Sequence, residues 1–346
     1  MGFFYHGKLY EWGRPDKLML FPHLNLLSKI RYALHVTYTK SIRDWTRLDQ
    51  LEATQWIKKW IGKRAYQVLW EKLFELKFFE YSNQLSAAWI GARIQRVAKS
   101  RQNLFTEELG YLEGGSEVLL AAYRQRIEAS GGEILLRAPV LQVLCNKGKV
   151  TGVRTPAGQY TCDTVISTVP LKYVFRFIPD LTEEERLRIA ALENIGVVCV
   201  LLKLTQPLSP YFWININDPD IKIPGIIEYT NLNPLADSII YVPYYMPKTN
   251  SKYNADDQFF IDEITGYCKR INPLFRVDWI KAAQVSRYEF AQPVCTPGFF
   301  AKLPKMKTSI SGFFMADTAY YYPEDRSITE SIAVGRKLAE LAQQAL

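Results

Sequence analysis

The sequence predicts a mixed protein in which pieces of an α/β domain interrupt a discontinuous α+β domain. Residues 106–174 and 293–346 alternate short apolar strands with helices, a pattern typical of an α/β domain. Residues 175–292 carry several apolar strands and a long helix, and residues 1–105 are mainly helical. These last two ranges together form the predicted α+β domain.

The first 105 residues predict a strand pair followed by helices. The strands turn at His6-Gly7, and a helix then runs from Leu24 to about Thr39. Five apolar side chains recur on one side of that helix, namely Leu26, Leu27, Ile30, Leu34 and Tyr38. The further helices predicted here cover residues 52–61, 65–79 and 86–98, the last of them with Ser86 as its N-cap. Their many Trp and Phe residues are best explained by core packing.

The range 175–292 supplies the sheet of the α+β domain. Thr182 is placed to cap a helix, and apolar runs with strand spacing follow it. A second helix, over residues 256–270, separates the last two runs. The predicted strands are residues 197–203, 223–230, 239–243 and 281–288.

Residues 110–170 form the first α/β piece. Gly114-Gly115 precede a helix over residues 116–130, whose apolar spacing predicts one buried face, and Gly131 is placed for a left-handed C-cap. Turn sequences then separate predicted strands at residues 133–137, 140–145, 150–155 and 160–162. The piece ends in Asp163-Thr-Val-Ile-Ser-Thr-Val-Pro170.

The C-terminal piece predicts a buried strand, a connection and a capped helix. The apolar run Phe313–Ala316 is followed at once by Asp317. Ser327 stands at the N-cap position, and Glu330 completes a capping box. A helix start of this kind offers unpaired N–H groups and favours negative charge. A carboxylate beside it suits a cofactor that carries hydroxyl groups and an electron-rich edge.

These two α/β pieces resemble the superfamily of FAD-dependent amine oxidases, protoporphyrinogen oxidases and phytoene desaturases. In that superfamily a Gly-Gly-Glu-Ile strand, a Pro-Val strand and an Asp-x-Val-Ile-x-Thr-x-Pro strand follow one another, and a later strand ending in Gly-Asp meets a helix under the flavin. Ala316 and Ser327 stand here where Gly is usual. The resemblance implies a Rossmann-like FAD-binding domain and a substrate domain with a helical cap and a mainly antiparallel sheet.

The resemblance also implies cofactor-binding residues, while the catalytic residues stay unknown. Asp317 would hold the ribityl or phosphate part of FAD, and the Thr329 N–H would stabilise negative charge at the flavin. Val140 would lie against the adenine end through its backbone, and Thr168 to Pro170 would approach the same end. The full set is Val140, Thr168, Pro170, Ala316, Asp317, Ser327, Ile328 and Thr329. No Ser-Gly-Gly-Cys-type attachment sequence occurs, so non-covalent FAD is expected.

The first dinucleotide-binding unit of the superfamily has no counterpart in this sequence. The G-x-G-x-x-G turn, whose glycines let the backbone approach the pyrophosphate, occurs nowhere. We therefore expect an incomplete Rossmann-like domain, a chain that is N-terminally truncated relative to a flavoenzyme parent, and weak or no FAD binding by the chain alone.

The cysteines and the charge distribution limit the cofactors, the partners and the cellular location that are expected. The five Cys are scattered without a C-x-x-C spacing, so neither a metal site nor a disulfide framework is expected, and a cytoplasmic location is favoured. Residues 1–110 hold 18 Lys and Arg against 10 Asp and Glu, whereas the rest hold 25 of each. This basic region suits an anionic membrane surface or substrate. No nucleic-acid-binding motif occurs, so nucleic acid is not expected.

The function predicted from these features is hydride transfer from an apolar small molecule to FAD. The aromatic helices and the basic N-terminal region favour a bulky substrate over a small amine. Two alternatives stay open. One is a flavin-dependent isomerase or mutase without net redox change, and the other is a non-catalytic remnant that binds lipids or a protein partner.

Overall fold

The computed structural model describes residues 1–100, 103, 110–178 and 180–345, and its helices and strands are numbered here along the chain. The helices are α1 Pro15–Leu20, α2 Leu26–Ser41, α3 Thr46–Asp49, α4 Ala53–Ile61, α5 Lys63–Tyr66, α6 Lys72–Phe78, α7 Ala87–Lys99, α8 Ser116–Ala129, α9 Leu171–Val174, α10 Glu183–Ala190, α11 Asp257–Ile271, α12 Phe299–Lys302 and α13 Ile328–Gln343. The strands are β1 Gly2–Tyr5, β2 Lys8–Glu11, β3 Gln142–Asn146, β4 Lys149–Thr155, β5 Gly158–Thr161, β6 Val165–Ser167, β7 Asn194–Leu204, β8 Trp213–Ile216, β9 Gly225–Glu228, β10 Ser238–Met246, β11 Ile280–Pro293 and β12 Phe313–Met315. Within the described ranges, every helix is too short or too polar to span a bilayer.

The chain divides into two compact units. The first unit comprises Met1–Leu109 and Asn194–Gly298, and the second comprises Gly110–Glu193 and Phe299–Leu346. The assignment of residues 1–105 and 175–292 to a substrate domain, and of the remaining residues to a cofactor domain, stays a prediction.

A seven-stranded sheet organises the first unit among the described residues. Its strand order is β11-β7-β10-β9-β8-β1-β2, and every neighbouring pair is antiparallel except β1 and β8. Burial alternates along β7 and β10, and directly paired residues such as Val200 with Val242 and Leu202 with Ile240 are fully buried. The predicted mixed fold with a mainly antiparallel sheet is confirmed.

Local sequence signals located most elements of this unit. The strands predicted over 175–292 correspond to β7, β9, β10 and β11, and Ser86 caps α7 by accepting a hydrogen bond from the Ala88 N–H at 3.1 Å. Strand β8 was not predicted, because four residues give too short a pattern to recognise. The predicted helix 65–79 is divided into α5, a π-helical turn over Gln67–Glu71, and α6.

Helix α2 directs its row of apolar side chains towards solvent. Its apolar residues Leu26, Leu27, Ile30, Leu34 and Tyr38 are all exposed, whereas Lys29, His35 and Thr39 are buried. Polar contacts determine this rotation of the helix. Lys29 Nζ donates to Met19 O at 2.6 Å, Arg31 donates to Trp60 O and Lys59 O, and Gln95 Nε2 donates to carbonyls at the end of α2. A rotation that turned the leucines inward would break these bonds, and buried polar groups left without partners are costly.

His35 is a buried base inside the helical part of the first unit. Its ring lies 4.5 Å from the Trp56 ring and 5.4 Å from the Trp60 ring, and neither ring nitrogen has a hydrogen-bond partner among the described residues. Burial lowers the pKa of His35 from its ordinary 6.5 to about 4. The imidazole is therefore neutral in the folded protein at neutral pH.

The first prediction concerns acid stability. Because the pKa of His35 is lower in the folded than in the unfolded chain, the unfolded chain takes up the proton first as the pH falls below 6.5. We expect acidification towards pH 4 to remove up to about 3 kcal/mol of unfolding free energy through this group. Urea titrations at several pH values measure this dependence. His35→Phe should reduce the loss of unfolding free energy between pH 6.5 and pH 4, whereas the control substitution His6→Gln, at an exposed residue, should not. Equal pH profiles for wild type and His35→Phe would contradict this assignment.

The second unit contains two small sheets among its described residues. Strands β3, β4 and β5 form an antiparallel sheet, and β6 pairs in parallel with β12. Helix α13 packs on β12 through a small core made of Phe314, Ala316, Leu338 and Ala342. Two strand predictions need correction. Residues 133–137 form no strand, and β3 begins at Gln142 rather than at Val140. A strand needs a paired neighbour, and an apolar pattern alone does not supply one.

Helix α8 forms as predicted but buries no side chain. Val118, Tyr123 and Ile127, which were expected on a buried face, are each more than 40% exposed. Ile166 on β6 is similarly exposed, although strands of parallel sheets are normally covered on both faces. The second unit therefore exposes several large apolar side chains on α8 and β6.

Gly312 is required by the geometry that leads into β12. Its φ is +82°, and a Cβ atom there would lie 2.3 Å from the carbonyl oxygen of Asp163. Both the backbone conformation and the close approach exclude a side chain.

The second prediction uses this glycine. Gly312→Ala should lower the free energy of unfolding of the second unit by about 3 kcal/mol or more, because strain and a steric clash add together. Gly148→Ala is a matched control, since Gly148 has a φ of +74° but open space around its Cβ direction. It should cost only about 1 kcal/mol in the same urea titration. If Gly312→Ala lowers the free energy of unfolding no more than Gly148→Ala does, the close approach of Gly312 to the Asp163 carbonyl oxygen is contradicted.

Candidate functional site

The candidate site begins where two parallel strands end together. Strand β12 pairs with β6 in the register Phe313 with Val165 and Met315 with Ser167. The Ala316 N–H continues the ladder by donating to Ser167 O at 3.1 Å. Because the strands are parallel, the residues that follow them are brought to one edge, which is where α/β sheets bind ligands.

Asp317 connects three chain segments at this edge. Its Oδ2 accepts a hydrogen bond from the Leu171 N–H at the start of α9, and its Oδ1 accepts one from the Ala319 N–H, both at 2.9 Å. Burial raises the pKa of Asp317, and these two hydrogen bonds partly offset that effect. Each carboxylate oxygen retains a lone pair, so the group can accept a further hydrogen bond from a ligand hydroxyl.

The start of α13 offers donors beside this group. Ser327 caps the helix, with its Oγ accepting from the Glu330 N–H at 3.1 Å. The return bond of a capping box, from the Glu330 carboxylate to the Ser327 N–H, is not formed, so that part of the prediction was wrong. The N–H groups of Ile328 and Thr329 have no acceptor in the described chain, and both residues are exposed.

A side-chain contact links the two halves of the site. The Tyr321 hydroxyl lies at the end of the 3₁₀ turn Thr318–Tyr321, and it forms a 2.9 Å hydrogen bond with Ser331 Oγ in the first turn of α13. The Asp317 carboxylate caps the beginning of the same 3₁₀ turn. The turn therefore holds the carboxylate and the helix start in one small region of the second unit.

Ser167 is a residue of this site that the sequence did not reveal. It is buried, yet its Oγ has no hydrogen-bond partner among the described residues. A buried hydroxyl without a partner is costly and marks a place where a ligand or ordered water completes the bonding. The only signal in the sequence was a small polar residue on a short apolar strand.

The other predicted residues lie at different distances from this group in the fold. Pro170 is the N-cap of α9, next to the Leu171 N–H that Asp317 binds, and Thr168 is exposed just after β6. Val140 lies ahead of β3 and is 42% exposed, with no described contact to the Asp317 group. Hydrogen bonds therefore connect Ala316 and Asp317 to β6 and to the start of α9 beside Pro170, and no such bond among the described residues links Val140 to them.

A cavity of about 360 Å³ adjoins this site, since Tyr320 of the 3₁₀ turn is one of the residues that line it. Its walls are mostly apolar and include Phe300, Met306, Tyr320 and Leu341, with lysines at its rim. Neither Asp317 nor the first residues of α13 line it. The candidate site is thus an open edge rather than this cavity.

Comparison with known proteins establishes the family. The family model for flavin containing amine oxidoreductases matches residues 3–254, well over half of the chain. This chain belongs to that family. None of the curated proteins compared with the chain matches it.

Solved structures agree with the family at the level of the fold. An oxidoreductase from Methanosarcina mazei is 19% identical with a TM-score of 0.64, over 90% of this chain and 70% of that one. Cyclohexylamine oxidase from Brevibacterium oxydans IH-35A is 12% identical with a TM-score of 0.65, over 99% of this chain and 80% of that one. Putrescine oxidase bound to putrescine is 12% identical with a TM-score of 0.69, over 98% of this chain and 80% of that one. At these identities the likeness shows the fold alone.

The chemistry of the described residues fits one end of a flavin. The two free N–H groups and the helix dipole of α13 match an electron-rich edge, and the Asp317 carboxylate matches a hydroxyl-bearing chain. The unpartnered Ser167 hydroxyl adds a further donor or acceptor. The family match ends at residue 254, so this group lies outside it and rests on geometry.

The third prediction tests the role of Ser167. Ser167→Ala removes a buried hydroxyl without a partner, so the ligand-free protein should be as stable or more stable, by up to about 1 kcal/mol. If the hydroxyl serves a flavin, the same change should reduce the increase in Tm produced by added FAD. Ser309→Ala is the control, because Ser309 Oγ makes a 2.7 Å hydrogen bond to Glu185 that the ligand-free protein would lose. A lower Tm for ligand-free Ser167→Ala would show that the hydroxyl is already bonded.

Proposed function

We propose that this chain carries the flavin-contacting part of an FAD-dependent oxidoreductase that oxidises an apolar substrate. The observation that carries the proposal is the Asp317 carboxylate, at the joined ends of β6 and β12, linked through one 3₁₀ turn to the free N–H groups of α13. When bound, the flavin would accept a hydride from the substrate. The protein residues bind and orient it.

The proposed roles follow from the chemistry of each group. Asp317 accepts a hydrogen bond from a ribityl hydroxyl through the lone pairs that its two backbone bonds leave free. Ile328 and Thr329 direct N–H groups at the pyrimidine edge, and Ser327 keeps that helix start ordered. Ala316 keeps the strand end closely packed on α13. Thr168, Pro170 and the backbone of Val140 are proposed to reach the adenine end.

We further propose that the two units bind different molecules. The unit with the seven-stranded sheet would bind the substrate, and the unit with β6 and β12 would bind FAD. The chain contains no G-x-G-x-x-G turn. The exposed faces of α8 and β6 are the surfaces that a strand–turn–helix unit carrying such a turn would cover. The second unit is therefore proposed to be an incomplete Rossmann-like domain.

Two properties of cofactor binding follow from this proposal. FAD is held non-covalently, because the chain offers no attachment sequence. Binding by the chain alone is weak, because nothing in the sequence supplies the backbone cradle for the pyrophosphate. FAD that stays bound in stoichiometric amount through dialysis would contradict the second statement.

The fourth prediction tests the site directly. Asp317→Asn should weaken FAD binding by about tenfold or more. The substitution removes the negative charge and replaces one of the two acceptor oxygens with an NH₂ group, which donates instead of accepting. Flavin fluorescence during titration measures the change. Asp163→Asn is the matched control, because Asp163 lies in the same unit with its side chain 75% exposed, and affinity should stay within about twofold.

Thermal denaturation of both variants separates a binding defect from a folding defect. Because Asp317 also binds two backbone N–H groups, a modest loss of stability is expected without FAD. Equal FAD affinity for wild type and Asp317→Asn would refute the proposed site.

A further inference from the structure

The first unit exposes large apolar side chains on the neighbouring helices α1 and α2. Their exposed fractions range from 42% to 75%. We call this surface the apolar stripe, and it consists of Met19, Leu20, Leu26, Leu27, Ile30, Leu34 and Tyr38. The five residues on α2 share one face of that helix by their spacing, and exposed apolar residues grouped in this way mark interaction surfaces.

The stripe cannot turn inward by a small rotation of α2. Lys29 Nζ is bonded to Met19 O, Arg31 is bonded to two carbonyls at the end of α4, and Gln95 is bonded to carbonyls at the end of α2. Rotation would break all three sets of bonds and leave buried polar groups without partners. The outward orientation of the leucines is therefore part of the folded state.

The segment that carries most of the stripe is basic, and its nearest acidic residues in sequence are Asp16 on α1 and Asp44 just after α2. Residues 17–43 contain five Lys and Arg and no Asp or Glu. Lys40 and Arg43, at the end of α2, are exposed, and no carboxylate of the described residues lies within the 4 Å that defines an ion pair with them. Tyr38 stacks on Trp60 with ring centroids 4.7 Å apart, which adds an aromatic pair at the same end.

We propose that the apolar stripe docks on the surface of an anionic lipid bilayer. A helix that is apolar on its outer face and flanked by cations lies in the plane of the interface, with its apolar side chains among the acyl chains and its cations at the headgroups. Aromatic residues are also enriched at that depth. Helix α2 has 16 residues, so at about 1.5 Å per residue it is long enough to lie along the surface and too short to cross it.

Charge complementarity favours a bilayer over a second copy of the chain. Two identical stripes brought together would place like charges against one another, whereas anionic headgroups attract them. The surface lies in the first unit, and the inference is independent of the flavin proposal.

Vesicle flotation with the purified wild-type chain tests this inference. Vesicles of phosphatidylcholine alone are compared with vesicles of an equimolar mixture of phosphatidylcholine and phosphatidylglycerol. We expect binding to the mixed vesicles that falls as salt is raised. Leu27→Ser combined with Leu34→Ser should reduce it by about tenfold or more. Lys40→Gln combined with Arg43→Gln should reduce it by about tenfold at low salt.

Matched control variants replace exposed leucines or exposed lysines that lie outside the apolar stripe. Leu187→Ser with Leu274→Ser alters two leucines that are just as exposed, and Lys147→Gln with Lys269→Gln removes two exposed cations. Both control pairs should bind like wild type, and unchanged Tm values should show that every variant is folded. The proposal is overturned if the wild-type chain binds neither kind of vesicle, or if the control pairs lose as much binding as the stripe pairs. Dimers in sedimentation that Leu27→Ser with Leu34→Ser dissociates, without vesicle binding, would instead assign the stripe to a second copy.

Discussion

The second unit depends on one carboxylate. By accepting from the N–H groups of Leu171 and Ala319, Asp317 joins the end of β12 to the start of α9 and to the 3₁₀ turn that leads towards α13. Charge-assisted bonds of this kind are stronger than neutral ones. The same group that holds these segments together is the one that the proposed function assigns to a ribityl hydroxyl. Structure and binding are therefore coupled at Asp317.

The two units expose apolar surface for different reasons. In the first unit, polar hydrogen bonds orient α2 so that its leucines point outward, and residues 17–43 carry five Lys and Arg and no Asp or Glu. In the second unit, α8 and β6 expose residues typical of a sheet covered on both faces. The first exposed surface is proposed to meet a membrane, and the second is proposed to meet the remainder of a nucleotide-binding fold.

Sequence reasoning succeeded where the determining interactions are local. The caps at Ser86, Thr182 and Ser327, and the left-handed Gly131, are set by residues within one helical turn of each other. It was insufficient where distant partners decide. The rotation of α2 depends on Gln95, more than fifty residues away, and a strand at 133–137 would need a neighbour that the described chain does not provide. Ser167 could not be recognised, because only the fold shows that its hydroxyl is buried without a partner.

The central claim is that the residues after β12 and at the start of α13 hold the flavin. Hydrogen–deuterium exchange of the purified chain, with and without added FAD, tests it most directly. The account predicts slower exchange of amides in residues 317–331, above all at Ile328 and Thr329, which have no acceptor in the described chain. Flavin binding that leaves this segment unprotected and protects another part of the chain would contradict it.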